Sequence, residues 1–111
     1  MANVKTSGVS FEYATIDTDP SSGGFWTNPV SMRVKKITKF NFSVRGTGTM
    51  TPTVQFRCYG DAAWTDYNNN ETDFIVGDRG IIEGDGAFVE WRAGVNEGDW
   101  TSGSCTVGFD W

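Results

Sequence analysis

Alternation of apolar and polar residues constrains this chain more than any other feature. Phe40, Phe42 and Val44 alternate with Asn41, Ser43 and Arg45. Val54, Phe56 and Cys58 alternate with Gln55 and Arg57, and Cys105, Val107, Phe109 and Trp111 with Thr106, Gly108 and Asp110. Successive side chains of a β-strand point to opposite faces, so each run reads as a strand with one dry and one wet face. Val9, Phe11 and Tyr13 follow the same period, as do Val30, Met32 and Val34. Ala87, Val89 and Trp91 do so too, except that Phe88 breaks their polar phase. No window carries apolar residues at the 3.6 spacing of an amphipathic helix.

Turn-forming residues divide these runs at short intervals: Asp19 to Gly24, Asp61, Asn68 to Asn70, Gly77-Asp78, Gly84 to Gly86 and Gly94 to Gly98. Gly46-Thr47-Gly48 lies between the 37–45 and 50–58 runs and predicts an antiparallel hairpin there. Pro52 lacks a backbone donor, so the second run is expected to start after it or to lie at a sheet edge. Seven or eight short strands at this spacing predict an all-β fold, an antiparallel β-sandwich of jelly-roll or immunoglobulin-like type. The 111 residues suffice for one core and one domain, 1–111, with residues 1–8 as a candidate arm able to join a neighbour's sheet edge.

The composition argues against several functions. The chain has no histidine, which removes the commonest general base and nitrogen ligand, and no nucleophile motif stands out, so an enzyme is not expected. Gly84-Asp85-Gly86 lacks the lysine and helix of a phosphate loop. No stretch approaches the ~20 apolar residues of a membrane span, and the N-terminus lacks the apolar core of a secretion signal. Charge is unevenly placed: residues 1–57 hold seven basic and three acidic residues, residues 58–111 two basic and eleven acidic. The net charge of −5 makes nucleic acid a poor partner, while the basic segment Arg33, Lys35, Lys36 and Lys39 is suited to an acidic protein surface.

Two features remain ambiguous at this level. Asp61, Asp66, Asn68, Asn69, Asn70, Glu71 and Asp73 gather oxygens in one region, as calcium requires, with Asp61, Asp66 and Asp73 the candidate carboxylates. Their spacing does not fit the helix–loop–helix pattern, so a solvated polar loop and no cofactor is the expectation. Cys58 and Cys105 both fall on apolar phases, which predicts two buried thiols, with a disulfide between neighbouring strands as the alternative.

Tryptophan offers a large flat surface with one polar handle and is enriched at interfaces. Of the five, Trp91 and Trp111 fall on core phases, Trp26 and Trp100 lie beside turns and are the candidate contact residues, and the side taken by Trp64 is open. The stretch 89–109 runs Trp91 to Val95, then Gly98 to Gly103, then an alternating strand through Cys105, Val107 and Phe109. It resembles the ends of small structural proteins of tailed bacteriophages, as does the strand–turn–strand of residues 53–67. The resemblance covers about half the chain. It implies a virion protein, made in the host cytoplasm, that decorates or cements the head, or serves in the neck or tail. Such a protein would assemble with copies of itself, as a trimer or larger ring, and with the major capsid protein. The surplus of aromatics near turns supports an alternative of another class, a carbohydrate-binding module or receptor-binding tip.

Overall fold

The structure, a computed structural model, describes residues 10–31, 39–58, 61–67, 74–83 and 89–111. All regular structure among them is β. Nine strands follow in order: β1 Phe11–Ile16, β2 Phe25–Trp26, β3 Val30–Ser31, β4 Lys39–Gly46, β5 Thr49–Cys58, β6 Thr65–Asp66, β7 Arg79–Glu83, β8 Val89–Ser102 and β9 Cys105–Asp110. They form two antiparallel sheets, one ordered β1-β9-β4-β7 and the other β2-β8-β5-β6, with β3 also paired to β8. The short strands β2 and β3 lie along the same edge of β8, facing Gly94–Val95 and Glu90–Trp91 respectively. They are two halves of one interrupted strand. At the break, the Thr27 amide donates to Ala93 O (2.8 Å) and the Thr27 hydroxyl accepts from the Ala93 amide (3.1 Å).

Counting β2 and β3 once, the first strand pairs with the last, the second with the seventh, the third with the sixth and the fourth with the fifth. That nesting is the jelly roll, in which a long folded ribbon wraps into two facing sheets. Of the two predicted sandwich types, the jelly roll is the one formed.

The core lies where the dry phases meet. Phe40, Phe42, Val44, Val107 and Phe109 from the first sheet face Val54, Trp91, Ala93 and Val95 from the second, all buried. Phe40 and Phe109 stack with centroids 4.9 Å apart, and Trp91 meets Phe40 edge-on at 6.3 Å. Trp111 packs on the rim of this cluster.

Four expectations are corrected or narrowed. The 37–45 and 50–58 runs do not form a hairpin: β4 pairs with β7 and β9, while β5 pairs with β6 and β8. Gly46-Thr47-Gly48 instead carries the chain from one sheet to the other. Gly46 takes φ +141°, and a side chain there would meet Ser104 O at 2.4 Å, because the return crossover at 103–104 packs against it. Second, β5 starts before Pro52, not after it; Pro52 lies at a register shift, and β6 covers β5 only at Gln55 and Phe56, so of the two alternatives the edge position holds among the described residues. Pro52 thus sits where no strand among the described residues pairs with its side of β5 away from β8. Third, β1 runs in the opposite phase to the one expected. Ala14 and Ile16 are buried, while Phe11 is exposed and Tyr13 half-buried. Fourth, Cys58 is exposed; Cys105 is buried, and both are free thiols. The Cys105 thiol donates to Met50 Sδ at 3.0 Å. Cys58 lies eight residues further along β5, about 26 Å at ~3.3 Å per residue, so a disulfide is out of reach.

Candidate binding face

Polar phases of β5 and β8 form the outward surface of the second sheet, and their register joins four side chains. Gln55 stands opposite Arg92 and Arg57 opposite Glu90. Arg57 Nε donates to Glu90 Oε1 at 2.9 Å and forms an ion pair with it. Gln55 bridges its neighbours: its amide nitrogen donates to Asp66 Oδ1 (2.9 Å) and its carbonyl accepts from Arg92 Nε (2.8 Å).

Two indoles close over these groups. Trp64, from the segment leading into β6, lies against both guanidiniums, with Arg57 Cζ and Arg92 Cζ each 4.3 Å from its ring centroid. Trp26 arrives from β2, with Arg92 Cζ 4.2 Å from its centroid and its own Nε1 donating to Gly23 O at 2.6 Å. The result is a continuous series, Trp26–Arg92–Trp64–Arg57, half-buried across the face. Gly94 makes the approach of β2 possible. A Cβ on it would lie 2.0 Å from Phe25 O, so only glycine admits the strand that delivers Trp26.

The electrostatics of the series are uneven. Arg57 has a carboxylate, whereas Arg92 has a neutral amide. Burial, then the adjacent Arg57 charge, shifts the Arg92 guanidinium pKa downward. A planar cation fixed between rings, with hydrogen-bonding capacity left over, is equipped to receive a carboxylate or a backbone carbonyl from a partner. Trp, Tyr and Arg are also the residues that dominate the energetics of protein interfaces.

The structure brings Trp26 of the expected contact residues into this face and leaves Trp100 apart. Trp100 packs against the core and donates from Nε1 to Gly103 O at 3.1 Å. Lys39 is exposed at the start of β4, in the other sheet; Arg33, Lys35 and Lys36 lie outside the described residues, as does the arm 1–8. Of the candidate calcium ligands, Asp66 is bonded to Gln55, Asp61 is exposed and Asp73 lies outside the described residues; no group of three potential metal ligands occurs among the described ones. Trp64, whose side the sequence leaves open, joins this face, and Arg57 and Arg92 were not singled out from sequence. Their signal was the wet phase of two strands, which acquires meaning only once β5 and β8 are known to be neighbours.

Comparison with protein-family models, with curated proteins and with solved structures finds no match for this chain.

Proposed function

We propose that this chain is a structural protein of a tailed-bacteriophage particle, a head decoration or cement protein that acts by binding and not by catalysis. It attaches through the Trp26–Arg92–Trp64–Arg57 face to the major capsid protein and to copies of itself. The observation that carries the adhesive part of this reading is the interleaving of two indoles and two guanidiniums on one sheet face, with one cation lacking a carboxylate. The phage part rests on the resemblance of residues 53–67 and 89–109. Those stretches supply Arg57, Trp64 and Arg92, so resemblance and face coincide in three of four residues.

The carbohydrate-binding alternative is not favoured by this geometry. Arg92 lies over both indoles, on ring surface that a sugar would use for stacking.

The test has two parts. Immunogold or density-difference electron microscopy of intact particles should place the protein on the head, and purified protein should bind heads that lack it. Arg92→Ala or Trp64→Ala should weaken that binding by about 2 kcal/mol or more, roughly thirtyfold, as for other central aromatic or arginine anchors. Absence from purified particles would overturn the proposal, and so would unchanged binding by both variants.

A further inference from the structure

A wide concavity lies on the opposite side of the molecule, on the outward face of the first sheet. It is a groove of about 650 Å³ that follows β4 between Tyr13 and Asp110 on one side and Gly77 to Gly80 on the other. Strand register sets out its floor. Tyr13, Gly108, Ser43 and Arg79 occupy one row across β1, β9, β4 and β7. Gly108 leaves room for the Tyr13 ring to lie across the sheet, since a Cβ there would meet Tyr13 Cδ1 at 2.6 Å. Arg45 then rests over that ring, with Cζ 5.0 Å from the centroid.

The groove holds two carboxylates and two guanidiniums, and none of them is ion-paired with another. Its two carboxylates are engaged within the fold. Asp110 accepts from the Tyr13 hydroxyl (2.7 Å) on one oxygen and from Asn41 Nδ2 (2.8 Å) on the other, and Asp78 Oδ2 caps the Ile75 amide (2.8 Å). Its two guanidiniums, Arg45 and Arg79, have no carboxylate partner among the described residues. Ser43 pairs with Arg79, so Arg45, two positions along β4, is the diagonal neighbour of Arg79 on the same face; such neighbours stand about 7–8 Å apart. Arg45 is oriented in advance by its ring contact. Two forks at that separation match carboxylates on one short segment better than a single small anion.

We infer that this groove is a second binding site, for an acidic segment of a partner protein, with Arg45 and Arg79 receiving the segment's carboxylates. Among the described residues β7 is the edge strand of the first sheet, so an extended chain can lie beside it. The groove is on the opposite sheet from the tryptophan–arginine face, so the two readings stand or fall separately.

The test is a titration of 15N-labelled protein with hexaglutamate, followed through the arginine Nε–Hε resonances. The expected result is saturable shifts of Arg45 and Arg79, weakening as sodium chloride is added. Arg45→Gln/Arg79→Gln should reduce affinity roughly tenfold or more, the loss expected for charge-assisted pairs, with an unchanged melting curve. If the double variant does not fold, Arg79→Gln alone, at an exposed edge position, carries the same comparison. Three results would overturn the inference: no shift of these two resonances, equal binding by the variant, or tighter binding of oligogalacturonate than of hexaglutamate, which would make the groove an acidic-sugar site.

Discussion

Arg92 shows how much one side chain can depend on its surroundings. It donates to Gln55 and contacts two indoles, so Arg92→Ala should lower stability by about 1–2 kcal/mol, each partly exposed cation–ring contact being worth ~0.5–1 kcal/mol. Arg92→Lys should behave like the alanine variant in binding to heads, because an ammonium lacks the planar fork. The thiols give a sharper contrast. Burial raises the Cys105 pKa, keeping it protonated and shielded, while Cys58 is exposed. Iodoacetamide at neutral pH should therefore label one cysteine of the folded protein, Cys58, and both in denaturant, as read by mass spectrometry. Tyr13 supplies a pH test. Its phenol is raised first by burial and then by the Asp110 hydrogen bond and charge, with Arg45 and Ser43 acting in the opposite direction. The folded state thus holds the phenolic proton more tightly than the unfolded chain. Stability from this source is fully present below the ordinary value of about 10 and is lost as pH rises through the raised one. In urea titrations, the advantage of the native protein over Tyr13→Phe should be constant below pH ~10 and should narrow above it. At this scale the sequence was a mixed guide. It marked Trp91 for the core and Trp26 for contact, but it placed Cys58 inside, because alternation reports a phase and not where along a strand burial ends.

Strands were legible and their partners were not. Period two located β4 and β9 closely, and also β5, where the alternation in sequence holds although Thr53 and Gln55 on its polar phase are buried as well. The β4–β5 hairpin failed for a physical reason: a Gly-Thr-Gly link can close a hairpin or turn a corner between sheets, and local chemistry does not distinguish them. Contacts with residues 103–104, more than fifty positions away, decide it. The same long-range pairing hid the candidate face, whose members come from β2, β5, β8 and the approach to β6. Gly94 tests that assembly at the level of the element. Gly94→Ala forces a methyl against the Phe25 carbonyl and should cost about 1–3 kcal/mol, as other overpacked sites do. Because β2 must shift, Trp26 should become more exposed, seen as a red-shifted fluorescence difference from a Trp26→Phe control.

The whole molecule is held by pairings between distant parts of the chain. β9 lies between β1 and β4, so both depend on it for one side of their hydrogen bonding, and the ladder continues through reciprocal bonds between Ser10 and Trp111 (3.0 and 2.9 Å). A chain ending at Ser104 should lose the first sheet and expose the apolar face of the second. Circular dichroism is expected to report no cooperative melting for it. The sandwich class was legible from the number and spacing of strands, whereas the nesting that makes it a jelly roll is a property of pairings that no local pattern encodes. That nesting has a consequence during synthesis. The strand between β1 and β4 is the last of the nine to leave the ribosome, so β1 must wait unpaired, and the β4–β7 pair with one edge open, until β9 is made. Strand edges left open in that interval expose the chain to aggregation as it is made.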